Sequence, residues 1–294
     1  MKVAFLIDCE SLGGGCEYIR QKSDERRQAN DACRTFYSVK GECTPATLDA
    51  WGADDIVVNH LKALVQLLRN PFRRPKGRVT FVIHGIHLRG CTGLRRFLRR
   101  RLERWLYHRC DRIVALTETD RSDILRLYGA DLRVDVEPNT LAGWTPNLAE
   151  GLPPGIEGPF DYICIGRFCH QKGQDRWIER CEGRDTRDES TPVPRTSYPV
   201  PRTLFIGDGP MLAACKALAE RLGVADRFVF AGAIPEADRY LKCAPVVVSP
   251  SRWEGMPYLL MKARALGCRI LATDCPGNRD VLAGYANWER LALP

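Results

Sequence analysis

The sequence predicts an α/β protein of two domains, each a parallel sheet covered by helices on both faces. Three observations carry that expectation. Short apolar, β-rich runs alternate with helical stretches at the spacing of strand–helix–strand units. The alternation occurs twice, on either side of a proline- and glycine-rich stretch, 139–160. The chain has 294 residues, 45% of them hydrophobic, enough for two cores of ordinary size.

The first series begins with a strand at Val3–Ile7, which leads through Gly13-Gly14-Gly15 to a helix over about Glu17–Gln28. Strands follow at Phe36–Val39 and Asp55–Asn59, then a helix at Leu61–Leu68. The strand at Val79–Ile83 ends at His84-Gly85 and leads to a long helix over Leu94–His108. Arg112–Leu116 is a strand, Thr119–Tyr128 a helix and Leu132–Glu137 a strand. The expected domain spans 1–145, with 146–160 as linker and 161–294 as the second domain.

The second series runs from a strand at Tyr162–Gly166 through Lys172-Gly173 to a helix at Gln174–Cys181. A strand at Thr203–Ile206, the turn Gly207-Asp208-Gly209-Pro210 and a helix over Met211–Leu222 come next. Further strands are expected at Arg227–Phe230, Val246–Val248 and Ile270–Thr273, with a helix at Tyr258–Leu266. Residues 183–202 carry four prolines among charged and hydroxyl residues and read as an inserted exposed loop.

The formal net charge of +8 is compatible with an anionic ligand, an anionic membrane surface or nucleic acid, and does not choose among them. The 13 cysteines are scattered without a C-x-x-C pair, which suits reduced thiols in a cytosolic protein. The five histidines do not combine with them at zinc-ligand spacing. Neither a transmembrane run nor a cleavable leader is expected.

Several turns have two readings. Gly13-Gly14-Gly15 is either an anion-binding helix start or a tight turn. His84, at a strand end, is either a ligand-side donor or a structural histidine, and His87 has the weaker claim. Arg167 and Lys172, between a strand end and a helix start, suit a diphosphate or form solvated surface charge. The turn at Gly207–Pro210 either lines a cleft or serves turn geometry alone. Ser251-Arg252-Trp253-Glu254-Gly255-Met256-Pro257 joins a strand to a helix, where an open α/β sheet places ligands.

Residues 94–112 hold eight arginines. Leu94, Phe97, Leu98, Leu102, Trp105 and Leu106 recur among them at helical spacing. The expectation is an apolar face packed on the sheet, with a basic face that touches anionic lipid, stays solvated or binds RNA nonspecifically. Specific nucleic-acid recognition is not expected, because no recognition-module signature is present.

The ordered set Gly13–Gly15, His84-Gly85, Glu137-Pro138-Asn139, Gly166-Arg167-Phe168 with Lys172-Gly173, Gly207–Pro210, the Glu254 segment and Ala272–Gly277 resembles family-4 retaining glycosyltransferases. The likeness spans nearly the whole chain. It implies the GT-B architecture, two Rossmann-like domains facing a cleft, without cofactor or metal. It also implies sugar transfer from a nucleoside-diphosphate sugar to a glycan or lipid-linked acceptor, in polysaccharide or cell-envelope synthesis. Localisation would be cytoplasmic, at most peripheral on the inner membrane face.

By the same resemblance, the catalytic set is His84, Glu254, Arg167 and Lys172. The donor would be held by Gly14, Gly15, Gly166, Arg167, Lys172, Gly209, Glu254, Gly255, Met256, Pro257 and Lys262. Lys262 stands where the family's second glutamate contacts the nucleotide ribose, and an ammonium donates hydrogen bonds but accepts none. Arg264 adds charge on a helix expected to pack against the sheet. The sequence also stops at Pro294, soon after the turn at 274–277, so the resemblance implies a second domain incomplete at its C-terminal end. The alternative reading is a weak or inactive sugar-nucleotide-binding protein of the same fold.

Overall fold

A computed structural model describes residues 1–8, 14–182 and 201–293. The chain divides into two compact units, Met1–Gly143 and Trp144–Pro294. Gly13 and residues 183–200 of the expected loop lie outside the described residues, as does the side chain of His87.

The first unit runs β1 (Lys2–Ile7), α1 (Gly14–Gln28), β2 (Ala32–Tyr37), α2 (Pro45–Trp51), β3 (Asp55–Val58), α3 (Leu61–Leu68), β4 (Arg78–Ile83), α4 (Gly93–Tyr107), β5 (Arg112–Ala115), α5 (Glu118–Tyr128) and β6 (Val134–Val136). Its six strands are ordered β2-β1-β3-β4-β5-β6, and all pair in parallel. The direction of sheet growth reverses between β1 and β3. Ala4, Leu6, Ile56, Val58, Phe81 and Ile83 point to one face, where they meet Leu64, Leu67 and Leu68 of α3 and Ile124 and Tyr128 of α5. Tyr18 and Ile19 are the buried apolar residues of α1.

Three expectations change here. Helix α1 begins at Gly14, so Gly14 and Gly15 occupy its first turn instead of a loop before it. Helix α2 was not anticipated, although its ends are marked in the chain. The Thr44 side chain accepts from Thr47 N–H at 3.2 Å, Pro45 opens the helix, and Gly52 closes it in the left-handed region. The third change concerns α4. Glu103, Leu106 and Tyr107 are its buried residues, whereas Leu94, Phe97, Leu98, Leu102 and Trp105 are exposed. The periodicity was read correctly but the face was assigned inward. Glu103 holds the inner side by accepting from Arg99 Nε at 2.6 Å and from the Tyr128 hydroxyl.

The second unit runs β7 (Tyr162–Ile165), α6 (Gln174–Cys181), β8 (Thr203–Ile206), α7 (Leu212–Arg221), β9 (Phe228–Phe230), β10 (Val246–Ser249), α8 (Tyr258–Ala265), β11 (Arg269–Ala272), α9 (Pro276–Leu282) and β12 (Trp288–Arg290). The parallel order is β12-β11-β10-β7-β8-β9, with the reversal between β7 and β10. Side-chain alternation builds two cores. Tyr162, Cys164, Phe205 and Val248 pack with α6 and α7 on one face; Ile163, Leu204, Val247 and Ile270 pack with Leu260, Ala263 and Leu282 on the other.

Beyond the turn at 274–277, where the sequence reading assigned no element, α9 and β12 follow and bring the sheet to six strands. Both are short and polar, which hid them. Arg264 proves to be exposed and lies 5.8 Å from the Tyr285 ring, so α8 accommodates it on its outer side.

Candidate active site

In the second unit the turns after β7 and β10 emerge at the point where sheet growth reverses. There the carboxyl ends of diverging strands leave a crevice. The β10 turn places Glu254, which is 5% exposed. Its Oε1 accepts from Lys172 Nζ at 2.7 Å and from Ser251 Oγ at 2.6 Å, and Oε2 accepts from Gln171 Nε2 at 3.4 Å. Burial pulls the Lys172 ammonium toward neutrality, but the adjacent Glu254 carboxylate outweighs it and raises the lysine above its ordinary value. Lys172 therefore carries its charge at neutral pH.

A second set of contacts clamps the two turns together. Arg252 forms a two-pronged ion pair with Asp175, at 2.8 and 2.6 Å, and donates to His170 O at 2.9 Å. Gly173 adopts φ +68°, and a Cβ there would sit 2.2 Å from Pro250 O. The helix start after Lys172 therefore presses directly on the backbone leading to Glu254. From the other side, Gly277 approaches so closely that a Cβ would lie 2.1 Å from Gly255 O. Thr273 Oγ1 donates to Ser251 O, and Asn278 Nδ2 donates to Thr273 O at 3.0 Å.

Gly166 and Arg167 open the β7 turn. Arg167 is exposed, and its guanidinium has no ion-pair or hydrogen-bond partner among the described residues. The turn holding Gly209 is stitched to this one: Phe168 N–H donates to Asp208 O at 2.9 Å, and Met211 N–H donates to Phe168 O at 3.1 Å. Gly255 is buried, Met256 packs against the core, and Pro257 forms the extended N-cap of α8. Lys262 is brought elsewhere. Its Nζ lies 3.1 Å from Asp238 Oδ2 and 5.7 Å from the Trp144 ring, while Trp144 Nε1 donates to the same carboxylate at 3.3 Å.

The first unit has its own cluster at its reversal point. His84, just past β4, shares a 3.0 Å hydrogen bond through Nε2 with Asn59 Oδ1, and its ring meets Tyr18 edge-on at 5.1 Å. His60 lies 6.5 Å from His84, with its Nε2 against Gly15. Asp8 N–H donates to His60 Nδ1 at 3.3 Å, and Asp8 Oδ1 accepts from Ala63 N–H at 3.1 Å. Sequence reasoning missed Asp8, Asn59, His60, Gln171, Asp175 and Asp238. The first three sat at strand ends comparable to that of His84, which was the available signal. Asp238 had none, because its partner is 24 residues away in sequence (262 − 238).

Two doubly wound parallel sheets with polar clusters at their reversal points define a two-domain, Rossmann-like α/β protein. A family model described as "Glycosyl transferases group 1" matches residues 153–288, and one described as "Glycosyltransferase Family 4" matches residues 43–141. The chain belongs to the group 1 glycosyltransferases and has the GT-B fold. It is similar to the 2-deoxystreptamine glucosyltransferase of Streptomyces kanamyceticus, 28% identical over 209 residues that cover 66% of this chain and 50% of that protein.

Among solved structures, sucrose-phosphate synthase from Thermosynechococcus elongatus shares the fold with a TM-score of 0.74 at 15% identity, over 99% of this chain and 86% of that one. HepE from Anabaena, in complex with UDP and glucose, has a TM-score of 0.67 at 19% identity, over 95% and 82%. The curated relatives are matched over 14% to 50% of their own length, so the chain spans half of each or less.

Proposed function

We propose that the chain is a retaining glycosyltransferase that moves a sugar from a nucleoside-diphosphate sugar to an acceptor hydroxyl in polysaccharide or cell-envelope glycan synthesis. The 2.7 Å contact of Lys172 with Glu254 at the sheet reversal carries the reading. It sets a cation and a carboxylate side by side, as a sugar diphosphate with hydroxyls and phosphates requires. The bond between the anomeric carbon and the diphosphate oxygen breaks, the acceptor oxygen bonds to that carbon, and the acceptor's proton goes to the released diphosphate. Negative charge grows on the leaving diphosphate, so cations beside it contribute most in the transition state.

Arg167, without a partner among the described residues, is the guanidinium assigned to that charge. Lys172 shares the task while its salt bridge positions Glu254 on the donor sugar. The backbone from Gly255 to Pro257, at the start of α8, lines the donor side with Gly166 and Gly209. Residues 161–294 are assigned to the nucleotide sugar and 1–145 to the acceptor, and Gly14, Gly15 and His84 are the residues the first unit offers for that task. Complexes of HepE with UDP and glucose support the donor class, and the lipopolysaccharide core mannosyltransferase LpsB of Rhizobium meliloti, 30% identical over 126 residues, supports the acceptor class.

The described cysteines are free thiols, in keeping with a reducing compartment. No described helix is long and apolar enough to cross a membrane. We place the protein in the cytoplasm, peripheral on the inner membrane face, where a lipid-linked acceptor is reached. The test is a thermal-shift screen with UDP-, GDP- and ADP-sugars, followed by product analysis with the best donor. One donor should raise Tm in the unaltered chain and not in R167A. Absence of a shift with every donor would overturn the reading.

A further inference from the structure

The outer side of α4 is apolar. Leu94, Phe97, Leu98, Leu102 and Trp105 share one side by their three- and four-residue spacing. Leu94 is 72% exposed, Leu98 57% and Phe97 54%. An exposed apolar stripe of this kind on a folded surface marks an interaction site. Its C-terminal end continues into the preceding loop through Arg109, whose guanidinium lies 4.9 Å from the Trp105 ring and donates to Pro71 O at 3.1 Å and Asn70 O at 3.0 Å. Phe72 in that loop is 97% exposed, and Arg69 and Arg73 beside it are also exposed.

The charge around the stripe has one sign. Arg101 lies over the Phe97 ring at 5.6 Å, in the middle of the apolar side, and Arg95 borders it. Neither has a carboxylate partner among the described residues. The one acidic residue of α4, Glu103, is buried on the opposite side. Two copies meeting through this side would bring Arg95 and Arg101 against their own equivalents with no carboxylate between them. RNA would satisfy the arginines and leave the leucines and phenylalanines in water. An anionic bilayer interface meets both demands, apolar depth below and negative headgroups around.

We infer that α4 and Phe72 form an interfacial docking surface for an anionic lipid bilayer. Helix α4 lies in the plane of the headgroups with its leucines and aromatic rings toward the acyl chains, and Arg95 and Arg101 engage the headgroup phosphates. The inference rests on the membrane-peripheral reading above and names the residues that would carry it out.

The experiment is co-sedimentation of the full chain with phosphatidylcholine vesicles and with equimolar phosphatidylcholine–phosphatidylglycerol vesicles. Binding to the anionic vesicles should be at least about tenfold tighter. The triple variant F97S/L98S/L102S should lose about tenfold or more on anionic vesicles with an unchanged circular-dichroism spectrum, and R95Q/R101Q should flatten the salt dependence.

Equal binding by the triple variant, or no sedimentation of the unaltered chain, overturns the inference. A concentration-dependent dimer abolished by the triple variant assigns the face to a second copy and also overturns it, as does RNA binding without vesicle binding. A parallel UDP thermal shift separates the two readings. Vesicle binding absent in the unaltered chain with the shift intact removes the docking surface and the peripheral placement but leaves the donor assignment. Equal binding by the triple variant removes only the docking surface, and a lost shift with vesicle binding intact removes only the donor assignment.

Discussion

Lys262 Nζ lies 3.1 Å from Asp238 Oδ2, and the lysine side chain is 8% exposed. The cation standing where a glutamate was expected thus has a carboxylate of its own, supplied by a different part of the unit. Trp144 completes the arrangement by donating to that carboxylate.

A single K262E exchange therefore sets two carboxylates against each other in a nearly buried site. It should destabilise the chain by about 3 kcal/mol, the usual scale for breaking a buried pair. D238N/K262E should recover most of that loss, and a denaturant series on the three variants reads the difference. Donor affinity is informative in the double variant, where the fold is restored.

K172M and E254Q remove the same contact from opposite ends. Each should cost about 1–3 kcal/mol, and the double variant should cost less than their sum. If the proposed chemistry holds, E254Q lowers sugar transfer by about a hundredfold or more, beyond what its stability loss explains. Urea midpoints and product formation measured on one preparation separate the two effects.

G277A tests how tightly the Glu254 turn is held. The added methyl would meet Gly255 O at 2.1 Å and Glu254 O at 2.6 Å, so it presses on backbone and not on the end of a flexible side chain. A loss of about 2 kcal/mol or more is expected. An unchanged thermal midpoint would show that the turn is looser than described.

His108, at the C-terminal cap of α4, faces acceptors with both ring nitrogens. Nδ1 lies 2.8 Å from Arg104 O and Nε2 lies 2.7 Å from Asp131 Oδ2. Both contacts favour the imidazolium, the carbonyl first and the carboxylate second, and raise the pKa above its usual 6.5. Because the folded value is the higher, the stabilisation is fully present below pH 6.5 and is lost as pH rises through the raised value. H108Q should remove that part of the pH dependence, and an NMR titration of the ring should show the upward shift in the unaltered chain. The site is half in solvent, so the effect is small.

The strand and helix order was legible because apolar alternation and glycine-marked turns are local signals, and β1, α3, β8 and α6 fall within a residue of the expected bounds. Glu254, Lys172 and Arg167 were legible one by one, as charged residues in strand-to-helix turns where parallel sheets place ligands, and only the family resemblance joined them. The contacts that hold those turns were not. The clamp of Arg252 on Asp175 and the pairing of Asp238 with Lys262 join residues 77 and 24 apart, and no local pattern marks such partners.

By itself the sequence determined the class of fold, the order of its elements and the strand-end residues of the candidate site, since these follow from periodicity and turn chemistry along the chain. Only the tertiary structure decided that the apolar side of α4 faces outward and that Lys262 is neutralised within its own unit. Both depend on which surface a neighbouring element already occupies. A helix has the same periodicity whichever side it buries, and an ammonium has the same charge until packing supplies its partner.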